Sequence, residues 1–109
     1  MNMNEFQDRC LTTTIYPNKG NNPAYTALGL CGESGEVAEK VKKLYRDSGG
    51  VLTEAIRDAI KKELGDVLWY ASAMAFECGL TLQDAADSVL IKLSDRAERG
   101  VLSGSGDNR

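Results

Sequence analysis

Residues 63–76 read ELGDVLWYASAMAF. From Val67 to Phe76 the segment is apolar almost all round when placed on a helical wheel, which a surface helix of a monomeric bundle is not. Such a helix is either the central one of its bundle or carries a second buried face, shared with another copy of the chain. Counted from a cap at Thr53, the residues Ile56, Ile60, Leu64, Val67, Ala71 and Cys78 form one stripe, and the helix is predicted to end near Cys78-Gly79. Glu63 falls roughly 70° from the centre of that stripe, and Asp66 follows it one turn on. An acid therefore stands on the shoulder of a buried face.

The preceding helix repeats the arrangement. It opens at Asn22, with Pro23 in the first helical position, and runs to about Asp47, where Ser48-Gly49-Gly50 stops it. Leu30, Val37, Val41 and Leu44 make its stripe, with Glu33 roughly 60° from the centre and Glu36 three residues later. Glu39 points roughly opposite the stripe and is expected to be solvated. Gly29, Gly32 and Gly35 each cost about 1 kcal/mol against alanine in a helix. Gly29 lies within roughly 20° of Glu36 on the wheel and would leave room for a ligand above the acids. Gly32 and Gly35 lie on another side, where they would let a second helix approach.

Two shorter elements complete the chain. Asn2 and Glu5 resemble a capping box that opens a helix through about Thr14, and Thr81 with Asp84 opens another to about Arg99. No comparable segment alternates with period two, so the fold class is all-α: a single domain over residues 1–109, with a tail from about residue 100. The composition of GSGDNR at the end, taken alone, predicts a flexible tail.

The 109 residues carry a net charge of −3 and are 42% hydrophobic and 6% aromatic, which suits a soluble helical protein. This balance gives no general attraction to nucleic acid or to an anionic membrane. There is no signal region and no apolar run of membrane-spanning length, so a cytoplasmic location is expected. Cys10, Cys31 and Cys78 form no pair with metal or disulfide spacing, and reduced thiols are expected. The chain has no histidine. That removes imidazole catalysis, His-containing zinc sites and the Glu-x-x-His di-iron bundle.

If the two acid pairs face each other across the helices, two carboxylates about 4 Å apart repel by about 4 kcal/mol at an effective dielectric of 20. Such a cluster demands a cation or raised pKa values. Oxygen-only ligands suit magnesium, or manganese, better than zinc or copper. The competing reading is a set of solvated helix faces held by the i,i+4 pairs Glu36–Lys40 and Glu39–Lys43.

GLCGESGEVAEK followed by KKELGDVLWY is similar to the MazG-type all-α nucleoside triphosphate pyrophosphohydrolases, whose signature is Glu-Glu-x-x-Glu, a gap, then Glu-x-x-Asp. KLSDR and ERGVLSGSGDNR also resemble MazG-like proteins of phages and bacteria, so the likeness runs from about Tyr25 to the end. The resemblance implies a four-helix MazG-like bundle completed by homo-oligomerisation, as a dimer or a dimer-of-dimers tetramer. It implies Glu33, Glu36, Glu63 and Asp66 as ligands of Mg2+, with Mn2+ as a substitute. Lys92 and Arg96 would bind phosphate oxygens.

The implied reaction converts a nucleoside or deoxynucleoside triphosphate to monophosphate and pyrophosphate, a task in nucleotide-pool sanitation. One of the four acids would activate the water, with Glu36 as first choice. Tyr70, four residues after Asp66, would stack on base or sugar. Trp69 is either a second such aromatic or an interface anchor. Two positions depart from the pattern: Gly32 stands where many relatives carry another acid, and Val89 where many carry Asn. The alternatives are a phosphoribosyl-ATP pyrophosphohydrolase and a non-catalytic helical bundle that binds a nucleotide or a partner. For the tail, the resemblance implies the alternative to flexibility: a folded segment that covers a neighbour's site.

Overall fold

A computed structural model describes residues 1–109. Four helices and no strand are present: α1 (Met3–Leu11), α2 (Pro23–Ser48), α3 (Glu54–Glu77) and α4 (Leu82–Glu98). The starts are set locally. Asn22 Oδ1 accepts the Tyr25 N–H at 3.1 Å, Thr53 Oγ1 accepts the Ile56 N–H at 3.3 Å, and Thr81 and Asp84 form a reciprocal capping box. At the far end of α2, Gly49 adopts φ +60 and the Gly50 N–H returns to the Leu44 carbonyl at 3.2 Å. This left-handed exit turns the chain back into α3.

Helix α1 stops three residues before the expected Thr14. The hydroxyls of Thr12, Thr13 and Thr14 each donate to the carbonyl three residues earlier, at 2.6, 2.9 and 2.8 Å. These bonds offer the backbone an alternative to another helical turn.

Helices α2 and α3 form the scaffold, an α-hairpin that supplies most of the tertiary packing. Helix α1 is fastened to the α3–α4 junction by Gln7, which is buried. Its amide donates to the Ser72 and Leu80 carbonyls, and its Oε1 accepts the Leu82 N–H at 2.9 Å. Helix α4 touches α1 and α3 but not α2.

One chain leaves the bundle open. Its radius of gyration is 16.7 Å, against about 13 Å for a compact domain of this length. Its accessible surface is 7364 Å², where about 5,900 Å² is usual for this mass. The surplus is apolar in character: Leu64 and Leu68 on α3 and Val89, Leu90, Ile91 and Leu93 on α4 are exposed. Leu64 and Cys78, expected within the buried stripe of α3, are both exposed. The reason is that α2 covers only one side of α3, and α4 does not close over the other. No helix is long and apolar enough to cross a membrane.

The tail is folded, which corrects the expectation of a flexible segment. Arg96, buried on α4, donates to the Asp107 carbonyl at 2.5 Å, while Arg99 donates to the Arg109 carbonyl. The Arg109 guanidinium donates to the carbonyls of Val101, Leu102 and Gly106. Gly104 and Gly106, at φ +134 and +86, allow the tight return. Composition suggested disorder because it does not register three guanidinium groups sharing the carbonyls of one loop.

Candidate metal centre

Glu33 on α2 and Glu63 and Asp66 on α3 each present a carboxylate oxygen, and the three atoms lie within 4.8 Å of one another. The antiparallel packing of α2 and α3 brings the two shoulders together. Glu33 and Glu63 are half-buried, and Asp66 is exposed at the rim.

Loss of water around Glu33 raises its pKa above the ordinary 4.5. The Asp66 charge, a hydrogen bond with Glu63 and the charges of Glu63 and Glu36 push it the same way. Three acids so close, with one of them holding its proton more tightly, form a donor set short of positive charge. An oxygen-only set of this kind fits a hard divalent cation such as magnesium or manganese.

Glu36, expected among the ligands, stands outside the three-acid group. Its side chain is 52% exposed and faces the Lys40 ammonium at 3.9 Å. Lys40 in turn reaches across the hairpin to Glu63 at 3.6 Å. The expected Glu36–Lys40 pair is therefore present. The expected Glu39–Lys43 pair is not: Glu39 meets Lys42 at 3.0 Å, and this contact lowers the Glu39 pKa. The i,i+3 partner wins here, leaving Lys43 free beside the hairpin groove.

Gly29 does not leave room for a ligand, as the wheel suggested. A Cβ there would fall within the ring of Tyr70, which occupies the notch. Tyr70 is half-buried, and loss of water followed by its contact with Tyr25 raises its pKa, with Glu33 and Asp66 contributing. Tyr70 thus borders the acids as a wedge between the helices. Gly32 and Gly35 meet nothing, so within one chain no helix uses the approach they allow.

The freer aromatic face belongs to Tyr25, 41% exposed and stacked on Tyr16 with centroids 4.9 Å apart. Sequence reasoning missed it, although Tyr25 lies four residues before Gly29 and hence on the same helical face. Trp69 packs edge-on against Tyr70, and its Nε1–H donates to Thr13 Oγ1 at 2.8 Å, so it is tied to the end of α1.

Lys92 and Arg96 lie away from α2, on a helix that makes no contact with it. Lys92 meets the Asp107 carboxylate at 3.2 Å and Arg96 meets it at 3.6 Å. Hydrogen bonding from Lys92, with the charges of both cations, lowers the Asp107 pKa. In one chain the two expected phosphate ligands thus hold the tail.

Two outcomes follow from this geometry. Gly29→Ala displaces the Tyr70 ring, an overpacking cost of about 1–3 kcal/mol partly offset by the helix gain of about 1 kcal/mol. Gly35→Ala, with nothing opposite, retains the gain alone. Urea unfolding should therefore show Gly29→Ala less stable than wild type and Gly35→Ala more stable. Equal stability of the two variants would contradict the wedge.

The second outcome concerns pH. The folded metal-free protein holds the Glu33 proton above pH 4.5, where the unfolded chain releases it. Its contribution to stability therefore declines as pH rises from 4.5 through the raised value. A divalent cation held by these acids would take the place of that proton, so the rise in Tm on adding Mn2+ should grow with pH over this window. Scanning fluorimetry from pH 4.5 upward checks it, and a pH-independent rise would count against the cluster.

The architecture is that of an all-α protein with a three-carboxylate centre on a helical hairpin. The model of the MazG nucleotide pyrophosphohydrolase domain matches residues 21–101, and the chain belongs to this family. It is also 42% identical to the Gene 37 protein of Mycobacterium phage L5, over the full length of both chains. No solved structure matches it.

Proposed function

We propose that the protein is a magnesium-dependent hydrolase that splits nucleoside or deoxynucleoside triphosphates into monophosphate and pyrophosphate. The observation that carries this reading is the convergence of Glu33, Glu63 and Asp66 within 4.8 Å, in a chain of the nucleotide pyrophosphohydrolase family. Its role would be sanitation of the cytoplasmic nucleotide pool, with residues 1–109 acting as one domain.

A divalent ion in this centre supplies neutralisation of phosphate charge and acidification of a water ligand. Glu33, Glu63 and Asp66 would hold it, with Mn2+ as a substitute for Mg2+. Glu36, 52% exposed beside them and not among the three, would take the proton of the attacking water once Lys40, 3.9 Å away, is drawn off it. Tyr25 offers its open face to the base or sugar, and Tyr70 walls the site behind it.

A homo-oligomer completes the site. Three features favour it: the surplus of roughly 1,450 Å² over a compact monomer, the bare apolar faces of α3 and α4, and the separation of α4 from α2. In a dimer, or a dimer-of-dimers tetramer, α4 of one copy can bring Lys92 and Arg96 to the acids of another. Both cations would then serve the phosphates, with Asp107 fixing their positions.

The test is release of pyrophosphate from a panel of triphosphates with magnesium. Turnover of several nucleoside triphosphates is expected. Turnover of phosphoribosyl-ATP alone would assign the chain to the histidine-pathway branch of this chemistry. Nucleotide binding without any turnover would make it a non-catalytic binding bundle.

A further inference from the structure

Lys40 is the one cation that reaches into the acid cluster, and the hydrolytic reading gives it no task. Its Nζ lies 3.6 Å from Glu63 Oε1 and 3.9 Å from Glu36 Oε2, with the side chain only 26% exposed. The other ion pairs of α2 and α3 are formed within a single helix: Lys42 with Glu39, Arg46 with Asp47, and Lys61 and Lys62 with Asp58. Lys40–Glu63 is the only one that joins the two helices. A carboxylate aimed at an ammonium is also one that a divalent ion must compete for.

The same lysine lines a second feature. A cavity of about 290 Å³ lies between the C-terminal half of α2 and the start of α3, bordered by Lys40, Lys43, Asp47, Ser48 and Thr53. Asp47 is already engaged by Arg46 at 2.7 Å, whereas Lys43 has no carboxylate partner. The cavity therefore offers an anion one ammonium that is in no close ion pair, with Asp47 and Glu39 acting on it only at longer range. Lys40 is common to the cluster and the cavity, and its ammonium rides on a flexible four-carbon stem that allows a second position.

We propose that Lys40 exchanges between these two places. In the metal-free protein its ammonium stands among the acids as a built-in counter-cation. When a divalent ion takes Glu63, the ammonium turns into the cavity beside Lys43 and binds the terminal phosphates of an oligophosphate substrate. This inference rests on the acids being a metal site. It makes metal and substrate bind with positive coupling, because each favours the same position of Lys40, and the coupling is reciprocal.

The test is titration of Mn2+ by electron paramagnetic resonance without nucleotide, together with inhibition by inorganic tripolyphosphate. Lys40→Met removes the competing charge and should bind Mn2+ about fivefold to tenfold more tightly than wild type. The same variant should raise the KM for triphosphate and weaken tripolyphosphate inhibition by about tenfold at saturating magnesium, with kcat changed far less. Lys40→Arg should restore wild-type Mn2+ affinity, and Lys40→Gln with native helical circular dichroism repeats the measurement in a second background. Unchanged or weaker Mn2+ binding in both neutral variants, while wild type binds Mn2+ and turns over triphosphate, overturns the exchange alone. Absence of Mn2+ binding in wild type overturns the metal reading and this inference together.

Discussion

Glu63→Gln should lower triphosphate hydrolysis by about 10²-fold to 10³-fold, the scale on which a group that fixes charge at a reacting phosphate contributes. Glu63 has its side chain only 18% exposed, and it touches both Glu33 and Lys40. The substitution keeps shape and volume, so the hairpin remains packed. What goes is one negative donor, and with it the charge of Glu63 that helps hold a proton on Glu33. The loss should therefore appear first as weaker Mn2+ binding. Glu36→Gln should behave in the opposite way, with Mn2+ affinity nearly kept and kcat reduced, because Glu36 stands outside the three-acid group and is assigned the water. Rates and Mn2+ titrations on the two variants separate these roles. Equal metal affinity in wild type and Glu63→Gln would contradict the assignment.

Gln7→Leu should cost about 2–4 kcal/mol of folding stability without touching the acids. Gln7 is 6% exposed, and its three bonds satisfy the Leu82 N–H and the Ser72 and Leu80 carbonyls at the corner where α3 turns into α4. A leucine fills similar space but leaves a buried donor unpaired, and each such group costs about 1–3 kcal/mol. The affected joint is the one that sets the direction of α4. Thermal unfolding reads the loss. The α2–α3 hairpin does not depend on Gln7, so Mn2+ affinity of the folded variant should persist. A Gln7→Leu protein as stable as wild type would show that α1 is not the clamp described.

These two residues illustrate what sequence discloses and what it does not. The acids were legible because a helical wheel fixes the angle between Glu33 or Glu63 and its own stripe, and antiparallel packing of the stripes brings the shoulders together. Caps at Asn22, Thr53 and Thr81 were equally legible, since each acts on a backbone N–H three residues away. Gln7 was not, because its partners lie 65 to 75 residues along the chain.

The same distinction explains the corrected details. Gly29 was read as room for a ligand, but the group that fills the notch is Tyr70, which no spacing within α2 can reveal. The reach of Lys40 to Glu63 was not legible, because Glu63 belongs to another helix. The tail looked flexible by composition, while its fold depends on Arg96, Arg99 and Arg109 finding carbonyls across a loop. Leu64 and Cys78 were placed in a buried stripe by periodicity, which identifies a face without identifying what covers it.

The central claim is that the acid cluster serves cleavage of a triphosphate between its first and second phosphates. Phosphorus-31 NMR of wild type with magnesium and a deoxynucleoside triphosphate tests it most directly. Nucleoside monophosphate and pyrophosphate are expected in equal amounts, with no orthophosphate and no reaction when magnesium is chelated. Diphosphate plus orthophosphate as products, or turnover undiminished by chelation, would contradict it.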